Sequence, residues 1–427
     1  MRIIYVDHYA GSIRHGMEYR PYYFAREWER KGHEVMIVAA SFSHLRKENP
    51  TLTSSYEYET VDDIRYLWLK SVNYEGSGLK RSYSMLEFCR RLWKLAPRLA
   101  NEFKPDVVIS SSTYPLDHYP AHRLAKLAGA VLIHEVHDLW PLSPMELGGY
   151  GPGHPFIRVM QRAENKAYTR SDQVVSLLPG TLEYMKDHGI TEDRWHYIPN
   201  GVVEEDWEDG QIEPTPDHVA ERINALKETG KFILGYAGGH SVSNAMNYLI
   251  DACGHIQRRA EQGDETAARV TAVLIGRGTE KENLMRRAKE AGIRNIEFLD
   301  PIPKQAIPDL LPRFDACYLG WTPSRLYEYG TSPNKLFDYM MAGRPVVHAF
   351  GYANDLVRIA DCGLSVDERE NPEEIAEAVL RMAALTAEER TAMGERGRIY
   401  VQQHHLYGGL ADDFLKVMAN GSIAAEE

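Results

Sequence analysis

The stretch TSPNKLFDYMMAGRPVV, residues 331–347, combines residue types that could bind an anion. Ser332 is a favoured helix N-cap and Pro333 suits the first helical position, so the pattern predicts a helix over 333–342 that begins abruptly at Ser332. Backbone N–H groups and the positive end of the helix dipole would then lie beside Lys335, which suits a phosphate. An ordinary capped helix with a solvated lysine explains the same residues, so context has to decide.

Composition limits the class of protein. At 427 residues the chain is too long for one simple core, and two or three domains are expected. Hydrophobic residues make up 44% and charged residues 26%, as in ordinary soluble globular proteins. The formal net charge of −12 argues against nucleic acid as a general partner. Local basic patches can still bind anions.

The four cysteines are scattered without CxxC or metal-like spacing, which predicts neither a disulfide framework nor a zinc site. They are Cys89, Cys253, Cys317 and Cys362. The opening MRIIYVDHYAG is typical of a strand entering a turn and has no signal-peptide pattern, and no stretch approaches eighteen apolar residues. We expect a protein of the reducing cytoplasm that does not span a membrane.

Strand-like and helix-like segments alternate along the chain. Apolar runs predict strands at RIIYVDHY, HEVMIVAAS, DVVISSS, AVLIHEVHD and QVVSLL. The segment VEEDWEDGQIEPTPD predicts a linker, after which strands are predicted at KFILGYAGG, VTAVLIGRG, NIEFLDPI, DACYLGW and RPVVHAF. We expect an α/β protein with two Rossmann-like, doubly wound domains, over residues 1–204 and 205–404. A helix at about 405–420 is expected to cross back onto the first domain.

Two such domains would face a central cleft at the carboxyl ends of both parallel sheets, where this class of fold binds ligands. Residues that directly follow strands are therefore the best candidates for contacts with a ligand. They are Gly11, Gly16, His137, Asp138, Gly238, Gly239, Gly276, Gly278 and the run from Ser332 to Lys335.

The order of several motifs resembles that of a GT-B nucleotide-sugar glycosyltransferase of glycosyltransferase family four. The motifs are a glycine loop opening a helix that ends KGHEV, the His137–Asp138 pair, IPNGV, VLIGRG, NIEFLDPIPKQAIPDLL and SPNKLFDYMMAGRPVV. The match covers nearly the whole chain. The segments HYAGSIRHGMEYRPYYFAREW and EVHDLWPLSPMEL resemble more closely the bacterial O-antigen and capsule transferases that add an N-acetylated amino sugar such as N-acetylfucosamine.

The resemblance implies that the second domain holds the nucleotide diphosphate at a helix amino end. Ser332, Pro333, Asn334 and Lys335 occupy that place, and context therefore favours the phosphate interpretation of the opening stretch. Asp338 matches a carboxylate that accepts hydrogen bonds from the ribose hydroxyls. A buried carboxylate without such partners would be costly.

The chain also departs from the family pattern. The first acid of the family's paired-glutamate motif falls on Gly330, although Glu328 lies close by and could serve the sugar hydroxyls. The usual Arg and Lys pair is missing from YAGGHSVSNAMN, where His240 and Asn244 stand. Phosphate charge would then be neutralised mainly by Lys335, by Arg277 and by backbone amides around Gly239 and Ser332.

The first domain is expected to hold the acceptor and to cover the donor. Gly16 matches a position where a backbone amide approaches the diphosphate, and a plain turn glycine is the alternative. His137 matches a strand-end histidine that contacts the donor sugar, and a structural histidine is its alternative. Glu18 and Arg20 are candidates for the acceptor side, or form a salt bridge with one another.

The resemblance implies a retaining reaction that needs no metal and no cofactor beyond the nucleotide sugar, with UDP as the family's usual nucleotide. The helix dipole, amides and a lysine would stabilise the leaving diphosphate, and the acceptor hydroxyl would lose its proton partly to that phosphate in a front-face displacement. We expect His137, Lys335 and Glu328 to take part in catalysis. The acceptor would be a glycan or a polyprenyl-linked sugar.

The stretch KRSYSMLEFCRRLWKLAPRLA interleaves basic and apolar residues. Its cations are Lys80, Arg81, Arg90, Arg91, Lys94 and Arg98. As a helix it could lie on an anionic membrane, which predicts a peripheral position on the inner face of the cytoplasmic membrane. A solvated basic face above a core-facing stripe is the alternative.

Two other functions remain open at this stage. The same fold hosts nucleotide-sugar 2-epimerases, which need several carboxylates around the sugar. An inactive nucleotide-sugar-binding partner is the other alternative, because Gly330 replaces an acid.

Overall fold

The computed structural model describes residues 1–74, 76, 78–352, 354–367 and 371–424. The chain divides into two compact units. Unit 1 contains Met1–Asn200 and the chain from Tyr407 onward, and unit 2 contains Gly201–Leu406. The division thus lies a few residues before the boundary expected from the linker composition.

Unit 1 is built on a sheet of eight strands in the order β3-β4-β2-β1-β5-β6-β7-β8. The strands are β1 (Arg2–Val6), β2 (Glu34–Ala40), β3 (Tyr56–Val61), β4 (Ile64–Leu69), β5 (Val107–Ser110), β6 (Val131–Val136), β7 (Gln173–Ser176) and β8 (Trp195–Tyr197). All neighbouring strands pair in parallel except β3 and β4. The central strands are buried on both faces, as the continuous apolar runs predict.

The antiparallel β3–β4 hairpin was not predicted from the sequence. Its turn is made by Asp62 and Asp63, whose φ angles are 49° and 66°. Two positive φ angles in a two-residue connection match the twist of paired strands, and aspartate tolerates this conformation better than most residues. The hairpin adds an antiparallel edge to an otherwise parallel sheet.

Helices cover the sheet of unit 1. They are α1 (Arg20–Arg30), α2 (Leu79–Glu102), α3 (His118–Ala128), α4 (Leu142–Gly148), α5 (Pro155–Arg170) and α6 (Leu182–Asp187). The buried side of α2 presents Phe88, Leu92 and Leu99 to a core that includes strand residues of β1, β2 and β5. The strand-like and helix-like segments expected from the sequence thus alternate in unit 1.

Unit 2 contains a six-stranded, fully parallel sheet in the order β11-β10-β9-β12-β13-β14. The strands are β9 (Phe232–Ala237), β10 (Val270–Ile275), β11 (Ile296–Leu299), β12 (Ala316–Gly320), β13 (Val346–Ala349) and β14 (Gly363–Val366). The helices are α7 (Asp217–Glu228), α8 (Met246–Glu261), α9 (Glu265–Arg269), α10 (Lys281–Glu290), α11 (Ile307–Leu310), α12 (Asn334–Met341), α13 (Leu356–Ile359), α14 (Pro372–Ala384) and α15 (Ala387–His404).

The last helix, α16 (Tyr407–Ala424), belongs to unit 1. Phe414 packs its ring against Phe24 and Trp28 of α1, with centroid distances of 5.3 and 5.2 Å. The indole Nε1 of Trp28 also donates to the carbonyl of Ala411 at 3.2 Å. The chain therefore returns to its first unit after completing the second. Among the described residues, we find no helix with the length and apolar character needed to cross a bilayer.

Candidate functional site

Helix α12 begins at the edge of unit 2 where the strands end. Pro333 takes the N-cap position with an extended backbone (φ −80°, ψ 126°), so the predicted cap at Ser332 is corrected by one residue. The buried side chains of α12 anchor it to the sheet, and the hydroxyl of Tyr339 accepts a hydrogen bond from the backbone N–H of Ala237 at the end of β9. Core packing therefore fixes where the amino end of α12 lies.

Lys335 is the charged residue of this helix end. Its ammonium donates to the hydroxyl of Tyr236 at 3.2 Å and to the Oδ1 of Asn244, and it lies 5.0 Å from the ring centre of Tyr236 and 5.8 Å from that of Trp321. Among the described residues, no carboxylate forms an ion pair with it. Burial lowers the pKa of Lys335 to about 7. The side chain is held in place by neutral groups, which leaves its charge available to an anion.

The loop after β9 provides that neutral support. The hydroxyl of Tyr236 donates to the carbonyl of Gly239 at 2.7 Å, and the amide of Asn244 donates to the same carbonyl at 2.9 Å. Asn244 also donates to the Oγ of Ser241 at 2.7 Å. The amide group of Asn244 is thereby oriented with its oxygen toward Lys335, so the loop and α12 form one connected hydrogen-bond network.

Two glycine loops approach one another beside this network. A Cβ atom on Gly276 would lie 1.9 Å from the carbonyl oxygen of Gly238, and one on Gly278 would lie 2.1 Å from that of His240. Only residues without a side chain allow this contact. The backbone N–H of His240 donates to the carbonyl of Arg277 at 2.9 Å, which joins the two loops.

His240 and Arg277 differ in the charge they can supply. His240 is fully buried, and burial together with Lys281 and Lys335 lowers its pKa to about 4, so its imidazole is neutral. Neither ring nitrogen has a hydrogen-bond partner within the described part of the chain. The side chain of Arg277 is exposed. Of His240 and Arg277, only Arg277 can supply positive charge to a phosphate.

The acidic candidates occupy different environments. Burial raises the pKa of Asp338 to about 6, an effect that Lys304 opposes and Asp206 reinforces. Glu328 is exposed on a short 3-10 helix over Arg325–Tyr329. Gly330, where the resembled family has an acid, has φ +93°, which side-chain-bearing residues rarely adopt. The local backbone conformation at this position therefore favours glycine over an acidic residue.

In unit 1, a buried carboxylate joins several polar side chains. The Oε1 of Glu135 accepts two hydrogen bonds from Arg20, at 2.9 and 3.0 Å. Its Oε2 accepts from the hydroxyls of Tyr5 and Ser111. Burial alone would raise the pKa of Glu135, but Arg20 and the other donors hold it well below its usual range. Glu135, which was not singled out from the sequence, is the centre of this cluster.

His137 lies two residues after Glu135, directly after the end of β6. Its Nε2 is 2.8 Å from the Oγ of Ser111 and 3.4 Å from the Oε2 of Glu135. Burial acts to lower the pKa of His137, but Glu135, Asp7 and Glu18 outweigh it and raise that pKa. The imidazole is therefore oriented through Nε2, and these carboxylates stabilise its protonated form against the effect of burial.

The structure corrects the prediction for Arg20. This residue is 1% exposed, and its guanidinium donates to Glu135, to the carbonyls of Ile198 and Pro199, and to the side chain of Asn200. It therefore ties α1 to the end of unit 1's sheet and does not present donors to an acceptor. The alternative salt bridge with Glu18 is also not formed, because the partner is Glu135.

Gly16 and Glu18 lie in the loop between β1 and α1. The backbone N–H of Gly16 donates to the carbonyl of Ser12 at 2.8 Å, so in this structure that amide is used within the loop. A Cβ on Gly16 would lie 2.8 Å from the backbone nitrogen of Lys47, and its φ is +96°. The turn itself thus requires glycine here. Glu18 is half-buried, and its charge acts on Asp7 and His137.

The basic stretch forms most of α2, and its cations divide into two groups. Arg81 and Arg91 are half-buried, and Arg91 pairs with Glu87 at 2.7 Å. Lys80, Arg90, Lys94 and Arg98 are exposed, and Arg98 pairs with Glu102. Large apolar side chains are exposed on the same helix: Leu79, Tyr83, Leu86 and Trp93.

The described residues contain no group of three or more His, Cys, Asp or Glu side chains arranged to hold a metal ion. Positive charge near these loops comes from Lys335, from Lys281, which acts on His240 together with it, and from the amino end of α12, and Arg277 follows β10. Of these groups, Lys335 and the amino end of α12 are held in place by the contacts described above, and they are groups that could bind an anion.

Replacing Glu135 should change the titration of His137. In a Glu135→Gln variant we expect the pKa of His137 to fall, because burial would then act with less opposition. Glu18→Gln is the matched control and should lower that pKa less. The measurement is an NMR pH titration of the imidazole, assigned with a His137→Gln variant. An unchanged pKa in Glu135→Gln would contradict the geometry described.

Each half of the chain matches a known protein family. Residues 15–201 match the family described as "Glycosyl transferase 4-like domain", and residues 231–384 match "Glycosyl transferases group 1". Together the two matches span most of units 1 and 2.

A curated relative and two solved structures extend these matches. The "Putative colanic acid biosynthesis glycosyl transferase WcaI" of Escherichia coli (strain K12) is 23% identical over 385 residues, which cover 86% of this chain and 89% of that one. HepE of Anabaena, in complex with UDP-glucose, has a TM-score of 0.66 at 15% identity, with coverage of 98% and 99%. Sucrose-phosphate synthase of Thermosynechococcus elongatus has a TM-score of 0.72 at 14% identity, with coverage of 99% and 100%.

These similarities confirm the predicted class of fold and of enzyme. The chain has the two parallel-sheet domains of the GT-B fold and carries both matched glycosyl transferase domains in the expected order. This protein therefore belongs to the GT-B glycosyltransferases, with a glycosyl transferase 4-like domain followed by a group 1 domain.

Proposed function

We propose that this glycosyltransferase moves a sugar from a UDP-linked donor with retention of configuration, in the synthesis of a cell-surface polysaccharide. The observation that carries the proposal is the half-buried Lys335 side chain, whose ammonium is held by neutral groups at the amino end of α12. The relatives support it in two ways: HepE was crystallised with UDP-glucose, and WcaI is named for colanic acid biosynthesis.

The donor diphosphate would bind at the amino end of α12. Lys335 would exchange its contact with Asn244 for a phosphate oxygen, and the exposed Arg277 would neutralise further charge. Backbone amides of Gly239, Ser332 and Asn334 would complete the site. A charged donor set of this kind stabilises a leaving diphosphate without a metal ion, which is the role we assign to it.

Asp338 would recognise the ribose. With a pKa raised to about 6, it is mostly ionised near neutral pH and can accept hydrogen bonds from two vicinal hydroxyls. A partly desolvated carboxylate raises the free energy of the protein when its oxygens are not hydrogen-bonded. Hydrogen bonds from the ribose hydroxyls would offset that free energy.

The remaining roles concern the transferred sugar and the acceptor. We propose that the imidazole of His137 contacts the donor sugar, that Glu328 binds its hydroxyls, and that Glu18 lies on the acceptor side. The sugar would be an N-acetylated amino sugar, as the first-half motifs suggest, and the acceptor a glycan or polyprenyl-linked sugar. The acceptor hydroxyl would transfer its proton to the departing phosphate as the new glycosidic bond forms on the same face.

Changes at the donor site should weaken nucleotide binding. Lys335→Ala and Asp338→Asn are each expected to reduce UDP affinity by about 10- to 100-fold, because each removes a hydrogen bond to or from a charged group. Isothermal titration calorimetry measures the effect. Lys289→Ala, which removes an exposed cation from α10, is the matched control. Unchanged affinity in both site variants would reject the assignment.

Product analysis separates the proposed transfer from its alternatives. We expect incubation with UDP-sugars and a membrane extract to yield a glycosylated acceptor. Formation of an epimer without acceptor would instead identify a nucleotide-sugar 2-epimerase. Tight UDP-sugar binding without turnover would identify an inactive binding partner, the alternative raised by Gly330.

We further propose that the enzyme works in the cytoplasm, at the inner face of the cytoplasmic membrane, with α2 as the contact. The helix exposes Leu79, Tyr83, Leu86 and Trp93 next to Lys80, Arg90 and Lys94. Exposed aromatic and aliphatic side chains between cations suit the headgroup region of an anionic bilayer. This position would bring the enzyme to a lipid-linked acceptor.

Neutralising α2 should release the protein from anionic vesicles. In flotation with phosphatidylglycerol-containing vesicles, we expect the Arg90→Gln/Lys94→Gln variant to bind about 30-fold more weakly than wild type, because each of the two basic residues contributes about 1 kcal/mol. Arg158→Gln/Arg162→Gln on α5 removes two exposed cations from the same unit and serves as the control. Equal binding by the two double variants would eliminate α2 as the contact.

A further inference from the structure

A cationic recess lies at the amino ends of the unit 2 strands, opposite the carboxyl ends where the proposed donor site lies. It has a volume of about 290 Å³ and is lined by Lys227, Lys231, Arg269, Asp315 and Arg390, with Phe232 at its wall. Lys231, Arg269 and Asp315 each stand immediately before a strand, namely β9, β10 and β12. The recess is therefore formed where these strands begin.

The distance along the strands separates this recess from the proposed donor site. Strand β9 runs from Phe232 to Ala237, and the Gly239 loop follows its carboxyl end. Six residues of strand extend about 20 Å, so the recess and Lys335 lie at opposite edges of one sheet. A ligand in the recess would not touch the donor site.

The recess has an excess of positive charge. Four cations surround a single lining carboxylate, Asp315, whose Oδ2 accepts from the backbone N–H of Ile233 at 2.8 Å. Burial lowers the pKa of Lys227, and Asp315 opposes this, whereas Arg344 and Arg313 lower it further. The local charge is thus opposite in sign to the net charge of −12 of the whole chain.

Several of these cations are held in place. Arg390 is 16% exposed, lies 5.2 Å from the ring centre of Phe232, donates to the carbonyl of Leu385, and approaches Asp315 only to 3.7 Å. The ammonium of Lys231 donates to the carbonyl of Ala268 at 2.7 Å. The cations come from α7, α9, α15 and the start of β9, so they converge from separate segments instead of lining one solvated helix face.

We propose that this recess binds a phosphate-bearing polyanion, as a second anion site distinct from the donor site. A group with two or more negative charges matches the excess of cations, and the fixed guanidinium of Arg390 offers it a directed donor. Free pyrophosphate and the headgroup of an anionic phospholipid share this chemistry.

The test compares two double variants that lose the same charge. Lys227→Gln/Arg269→Gln removes two recess cations, and Arg286→Gln/Lys289→Gln removes two exposed cations from α10 in the same unit. Inorganic pyrophosphate is titrated by calorimetry with both variants in a Lys335→Met background, so that donor-site binding is weakened equally in the two proteins. Flotation with phosphatidylglycerol vesicles forms the second arm.

We expect the recess variant to lose about 10-fold or more in affinity for one of the two probes, relative to the α10 variant, because each lost charge-assisted contact is worth a large part of that factor. Loss confined to pyrophosphate identifies a free ligand, and loss confined to vesicles identifies a lipid headgroup. Equal binding of both probes by the two variants would overturn the proposal. Donor-site binding is measured separately with UDP, so failure here leaves the proposed function unaffected.

Discussion

The proposed donor site depends on one desolvated cation. Lys335 is half-buried beside Tyr236 and Trp321 and is hydrogen-bonded to a hydroxyl and an amide oxygen, with no ion pair to a carboxylate among the described residues. A cation in that state is poorly stabilised until an anion arrives, and its lowered pKa expresses this cost. Binding a diphosphate would remove the cost, so the free energy of burying Lys335 favours the ligand-bound state.

The parallel sheet explains how this residue meets its neighbours. All strands of unit 2 end at one edge, and the segments that follow β9, β10 and β12 supply the Gly239 loop, Arg277 and Trp321. Because Gly276 and Gly278 have no side chains, the loop after β10 can pack directly against the backbone of the loop after β9. In unit 1 the same arrangement gathers Ser111 and His137 after β5 and β6, with Glu135 holding both. Fold and chemistry are thus linked through strand ends.

The sequence was sufficient for the fold and for the location of the helix end, but not for the supporting contacts. Alternating apolar runs give the two sheets, because strand and helix periods are local properties. The proposal that Lys335 lies at a phosphate site starts from Pro333 and its sequence context. Its partner Tyr236 is 99 residues away, and Arg20 pairs with Glu135 across 115 residues, so neither contact has a local signal. Arg20 was for that reason assigned to the acceptor side, and the backbone requirement at Gly330 became visible only through its φ angle.

Proton uptake on nucleotide binding shows whether a diphosphate lies against Lys335. At about pH 8, UDP titrations in two buffers of different ionisation enthalpy give the number of protons bound per complex. If a diphosphate lies against Lys335, its pKa should rise from about 7 to well above 8, and wild type should take up about 0.8 proton more than Lys335→Met. Equal proton uptake by the two proteins, with UDP bound to both, would show that the diphosphate lies elsewhere.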